Sequence, residues 1–170
     1  MTRGRPNPRH WKLAQRLRRE RYALGLGCTD LSVRAAVGHA SVSLIERGDR
    51  LPRLDTLERI AIAMCVSPGW LAFGLGDKVC SPGGEGLRCD GLAERTRAAR
   101  LALGLSVRAT DRRAGSGEGT LKRIERGTMP TPDTVEALAK ALGASPAWLA
   151  FGEGPRTIPR RGPSQARMTD

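Results

Sequence analysis

Residues 26–48 read LGCTDLSVRAAVGHASVSLIERG. Leu31 and Ala35 stand four apart and make one short apolar face, and Val42 and Ile45 stand three apart and make another. Both spacings put a pair of side chains on the same side of a helix. Ala36-Val37-Gly38 supplies a tight turn between them. The stretch therefore predicts two short helices set at an angle. Helices this short say little alone, so the surrounding sequence decides what they are for.

That surrounding sequence is a duplication. A shift of 79 places Leu13-Ala14 on Leu92-Ala93, Leu24-Gly25-Leu26 on Leu103-Gly104-Leu105, and Ile45-Glu46-Arg47-Gly48 on Ile124-Glu125-Arg126-Gly127. One residue is lost in the next loop. The shift is then 78, which places Pro52 on Pro130, Asp55-Thr56 on Asp133-Thr134, and SPGWLAFG (67–74) on SPAWLAFG (145–152). Self-similarity at this period means two copies of one unit of about 65 residues, near the lower size limit for folding without metals or disulfides.

Each unit reads as helical throughout. Asn7-Pro8 opens a first helix whose predicted apolar face is Leu13, Leu17 and Leu24. Leu57, Ile60, Ala61 and Met64 recur at i, i+3, i+4, i+7, and Val135, Leu138, Ala139 and Leu142 repeat the stripe. In the octapeptides Ser67 and Ser145 suit a helix N-cap, Pro68 and Pro146 the first helical position, and Gly74 and Gly152 a left-handed stop. Trp70 and Trp148, each three residues before a Phe, then belong to the core rather than to a base-stacking surface. No useful strand pattern occurs. The class is all-α, and the two angled helices of each unit make a helix-turn-helix.

The combination resembles the Cro and lambda-repressor-like helix-turn-helix family, also called the XRE family. It rests on Gly25-Leu26 and Gly104-Leu105, the Ile-Glu-Arg-Gly that ends each third helix, the following Pro52 or Pro130, and the closing Ser-Pro-x-Trp-Leu-Ala-Phe-Gly. It covers residues 11–75 and 90–153. The resemblance implies two tandem five-helix domains, at 10–76 and 91–154, joined by a Gly/Pro-rich linker at 77–90. A basic arm (1–9) precedes them and a basic disordered tail (155–170) follows. The third helix of each domain is then expected to enter the DNA major groove.

The same resemblance assigns residues. Gly38, His39, Ala40, Ser41 and Ser43 face base edges; His39 and Ser41 can hydrogen-bond bases, and Ala40 offers a methyl surface for thymine. Arg50 and Arg53 follow the third helix and meet phosphates, with Arg3, Arg5 and Arg9 wrapping the duplex; such contacts position without reading sequence. Cys28 stands at the anchoring position that opens the second helix, where the family usually has Gln. In the second domain Gly117, Glu118, Thr120, Lys122 and Arg123 take the corresponding places. Thr110 and Asp111 replace residues that normally pack there as Leu and Ala, so this domain reads as degenerate, suited to docking or dimerisation. Two buried ion pairs are also expected, Arg21–Glu46 and Arg100–Glu125, because a charge on an apolar helix face needs a partner.

Charge agrees with a polyanionic partner. The chain of 170 residues carries a formal charge of +12, with a pI near 11.0, which favours nucleic acid first and anionic membrane second. No apolar run is long enough to span a bilayer, no signal-peptide pattern opens the chain, and no long Lys/Arg-lined amphipathic helix stands out. A cytoplasmic, nucleoid-associated protein is expected. Cys28, Cys65, Cys80 and Cys89 lack C-x-x-C spacing, so free thiols are expected rather than a metal site. With only His10 and His39, no nucleophile–base set emerges, and neither catalysis, a cofactor nor a small-molecule ligand is expected. The expected function is that of a sequence-specific regulator of transcription, a repressor, acting on double-stranded DNA as a homodimer. The alternative is an interaction protein, such as an antitoxin whose second domain holds a protein partner.

Overall fold

Proline at the first helical turn forfeits no hydrogen bond, and Pro8 opens α1 (Pro8–Ala23). The first unit continues with α2 (Cys28–Arg34), α3 (Ser41–Glu46), α4 (Leu54–Ala63) and α5 (Pro68–Phe73). A 3-10 turn at Arg88–Gly91 leads into α6 (Leu92–Ala102), α7 (Val107–Ala114), α8 (Thr120–Glu125), α9 (Pro132–Leu142) and α10 (Pro146–Phe151). The computed structural model describes residues 8–79 and 87–157, with side chains from Trp11 onward. Among these residues the fold is all-α, and its sole β-type pairing is one antiparallel bridge, Val66 to Val79. Arg3, Arg5, Cys80 and most of the basic tail lie outside the described residues, as do the side chains of Arg9 and His10.

The apolar stripes close as expected. Leu13, Leu17, Leu31, Val42, Ile45, Leu57, Ile60 and Leu71 are buried in the first unit, and Leu92, Leu121, Ile124, Val135, Leu138 and Leu149 in the second. Ser67 Oγ accepts from Trp70 N at 3.0 Å, and Ser145 Oγ from Trp148 N at 3.5 Å. Gly74 and Gly152 end their helices at φ +69°. Trp70 and Trp148 are half-buried against the core, and their outer faces are covered by Lys78 and Arg156 at 5.8 Å and 5.3 Å. Leu24 departs from the predicted face. It is 46% exposed, because α1 stops at Ala23 and the chain turns before a third apolar level can form.

The segment expected to be linker is partly built into the fold. Ser67 N donates to Lys78 O at 2.8 Å, and Ser145 N repeats this to Arg156 O at 2.7 Å, so each unit folds its exit strand back onto its last helix. Leu87 packs against the core as well, and Cys89 is fully buried. The two units consequently share one interior, to which Leu71, Ala72, Cys89, Leu149, Ala150 and Phe151 all belong.

That joint places α5 against α10, its own counterpart, with the Phe73 and Phe151 rings 6.3 Å apart. Polar contacts lock it. Glu58 of α4, itself 1% exposed, accepts from Arg88 N at 2.6 Å and Cys89 N at 2.9 Å, so the first unit caps the second. Glu153 accepts from the Ser67 hydroxyl at 2.6 Å, Gly69 N at 2.9 Å and Arg88 Nη1 at 2.8 Å. Leu54 N donates to Pro130 O at 3.0 Å, and Arg53 Nε to Met129 O at 3.0 Å. Burial in this joint, then the neighbouring Glu58, pushes the Cys89 thiol far above its usual pKa, which leaves it protonated and unreactive.

Close approach at Gly69 gives a test whose sign is diagnostic. A Cβ there would lie 2.5 Å from Glu153 Oε2 and 3.0 Å from Ala147 Cβ. In a helix free of the second unit, Gly69→Ala would stabilise by up to about 1 kcal/mol. Docked as described, it should destabilise by about 1–3 kcal/mol in urea unfolding of the full chain. A gain in stability would show that the two helices are not in contact.

Candidate nucleic-acid interface

Six- and seven-residue helices have almost no stability of their own, so α2 and α3 must be held by their neighbours. Asp30 accepts from Gly27 N at 3.1 Å and orders the first turn of α2. Ser32 links the pair: its hydroxyl donates to Cys28 O at 2.9 Å and accepts from Val42 N at 3.4 Å. The turn between them forces Ala36 into the left-handed region at φ +51°, where the second unit has Gly115 at φ +64°. Strain of roughly 1–2 kcal/mol is expected for a non-glycine residue there.

A buried clamp fixes the far end of α3. Arg21 donates from Nε to Glu46 Oε1 at 2.7 Å, from Nη2 to Oε2 at 2.8 Å, and from Nη1 to Leu26 O at 2.7 Å. Hydrogen bonding to Glu46 holds the guanidinium pKa above its usual range. Arg100 repeats the arrangement at 2.9 Å and 3.3 Å to Glu125 and at 2.9 Å to Leu105 O. Both expected ion pairs form, and the second is a little more open, with side chains 11% and 10% exposed against 7% and 5%.

On the outer side, Gly38, His39 and Ala40 are exposed at the entry to α3, and Ser41 and Ser43 are half-buried. The Ser43 hydroxyl donates to Ala40 O at 3.0 Å. Arg34 at the end of α2 and Arg47 and Arg50 after α3 are exposed, and Arg47 pairs with Asp49 at 2.9 Å. Two other assigned residues are engaged elsewhere. Cys28 turns its thiol inward, 3.8 Å from Glu46 Oε2, and Arg53 is the residue bound to Met129 O.

The second unit replaces packing with hydrogen bonds. Thr110, fully buried, donates to Ser106 O at 3.0 Å. Asp111, 2% exposed, accepts from Ser116 Oγ at 2.8 Å, Leu121 N at 3.0 Å and Gly119 N at 3.0 Å. It sits where the first unit has Ser32 and does the same work more fully, since three donors converge on one carboxylate. Asp111 therefore anchors the start of α8. Gly117 and Glu118 are exposed and Thr120 half-buried; Glu118 pairs with Arg108 at 2.9 Å, and Arg123 reaches Thr120 Oγ1 at 3.3 Å. Lys122, Arg123, Arg108, Arg112, Arg113 and Arg126 are all exposed. Of these the sequence reading had singled out only Lys122 and Arg123. The repeat shift itself offered the missing signal, because it sets Arg113 on Arg34 and Arg126 on Arg47.

Residues 12–71 match a family described as a helix-turn-helix domain, and residues 97–149 match one described as helix-turn-helix. The chain is a tandem helix-turn-helix protein of the Cro and lambda-repressor-like kind. No solved structure matches it. Helix-turn-helix families bind DNA to regulate transcription and are not enzyme families. No helix among the described residues is long and apolar enough to cross a membrane.

Losing either partner of the clamp should be severe for α3. Glu46→Ala strands Arg21 in the interior and should cost about 3–5 kcal/mol. Glu125→Ala should act in the same direction and by less, given its more open pair. Urea unfolding of the full chain measures both; a loss under about 1 kcal/mol at Glu46 would refute the clamp. Ala36→Gly should stabilise by about 0.5–1 kcal/mol by relieving the left-handed strain, whereas Gly115→Ala should do the reverse.

Proposed function

We propose that this chain represses transcription by sequence-specific binding to double-stranded DNA, with α3 of the first unit in the major groove. The observation that carries this is the exposed row at the entry to α3. His39 and Ala40 are exposed there and Ser41 is half-buried, and Arg34 at the end of α2 and Arg47 and Arg50 after α3 are exposed as well. Groups that can read base edges thus lie in sequence between cations suited to phosphate. The formal charge of +12 supports association with a polyanion over a neutral protein partner.

The two groups of residues should separate experimentally. Arg50→Ala should weaken binding about equally on a selected site and on random duplex, and lower the slope of log K against log salt by about one. Ser41→Ala should act on the selected site and leave random-duplex affinity and salt slope unchanged. Equal effects of the two variants on both DNAs would overturn the assignment of α3 as the reading element. A reporter placed downstream of the selected site should fall in expression when the protein is supplied; a rise would make it an activator.

A further inference from the structure

The second unit presents a cationic surface that the function above does not use. Residues 107–131 contain six Lys or Arg against three acids, whereas the matching stretch 28–53 contains four against three. Two of those three acids in the second unit are withdrawn from its surface: Asp111 caps α8 from the interior, and Glu125 is held by Arg100. Arg108, Arg112, Lys122, Arg123 and Arg126 remain exposed on and around α7 and α8.

The second surface is also fixed relative to the first. The connections that leave α3 and α8 touch each other, through Arg53 with Met129 and Leu54 with Pro130. Behind them α5 packs on α10, and Glu58, Arg88 and Glu153 bridge the units. A face of α5 that could recruit a second chain is already covered by α10.

We propose that a single chain is a rigid, two-headed reader of a bipartite, non-palindromic DNA site. The first unit reads one half with His39, Ala40 and Ser41. The second reads a guanine-containing half with Lys122 and Arg123, since Lys and Arg pair with the O6 and N7 acceptors of guanine in the major groove. Two copies with different reading residues have no reason to prefer two equal half-sites. This rests on the DNA-binding reading above and goes beyond it in assigning stoichiometry, symmetry and the role of the second unit.

The experiment is selection of binding sites from a random duplex pool with the full chain, followed by sedimentation of the complex on the recovered site. The expected result is one chain per duplex and a motif of two unlike halves. Lys122→Ala with Arg123→Ala, both exposed and so not needed for folding, should lose preference in the guanine-containing half alone, by roughly ten-fold or more. About five base pairs inserted between the halves turn them to opposite sides of the duplex, and affinity should fall by a similar factor. Two chains on a palindrome, a motif indifferent to Lys122 and Arg123, or tolerance of the insertion would each overturn this inference while leaving DNA binding intact. Failure to bind any duplex would remove the DNA-binding reading and this one together.

Discussion

A guanidinium and a carboxylate buried between α1 and α3 determine where α3 points. The six-residue α3 buries Val42 and Ile45, enough to hold it on the core but not enough to set its direction, because apolar contact is indifferent to rotation about a shared interface. Bidentate pairing of Arg21 with Glu46 is not indifferent. Two parallel hydrogen bonds fix distance and plane together, and the third arm of the same guanidinium binds Leu26 O, which fixes the entry to α2. One side chain thereby positions both halves of the motif. Such a pair is a weak source of net stability, because its attraction is offset by desolvation, yet losing one partner is severe. Orientation is what the pair supplies.

Carboxylates do comparable work at the other joints of this chain. Asp111 gathers Ser116, Gly119 and Leu121 around the start of α8, and Glu58 caps the second unit from within the first. Glu153 ties Ser67, Gly69 and Arg88 together across the unit boundary. In each case backbone N–H groups exposed by a helix or turn start would be left unpaired in the interior, and a buried donor without an acceptor costs roughly 1–3 kcal/mol. Short helices multiply such starts. The ten α-helices among the described residues, six of them of eight residues or fewer, need many acceptors placed at their seams.

The parts legible in the sequence were those governed by period and local chemistry. Helical stripes, serine caps, glycine stops and the repeat itself identified the units, the helix-turn-helix and the ion pairs. Three kinds of feature were not legible. Leu24 fits the stripe by spacing, but the stripe outruns its helix, and a helix end is poorly encoded by periodicity. Asp111 looks like a packing fault, since an acid in a core is costly unless donors converge on it, and their convergence depends on the turn that follows. Glu58, Glu153 and Arg53 look like ordinary surface charges because the surface they face belongs to the other copy. Contacts between repeats leave no periodic trace within either one. The cationic face of α7 and α8 was missed for a different reason, since Arg108, Arg112 and Arg113 precede the residues that the family pattern singles out.

Joining two copies in one chain also changes what their interface is allowed to be. A dimer of identical chains must use the same patch twice, so any residue that improves one side appears on both and must suit both. Here α5 and α10 still meet as counterparts, with Phe73 against Phe151, but the polar lock is one-sided. Glu153 corresponds under the repeat to Leu75, and Gly69, which yields space to it, corresponds to Ala147. A carboxylate at both positions would bring two like charges to the joint without a second set of donors. Covalent linkage removes that constraint and lets the joint become asymmetric. It removes the same constraint from the outer faces around α3 and α8, where one copy carries hydroxyls and an imidazole and the other ammonium and guanidinium groups. An asymmetric joint holds α3 and α8 in one defined relation while leaving the exposed residues of each copy free to diverge.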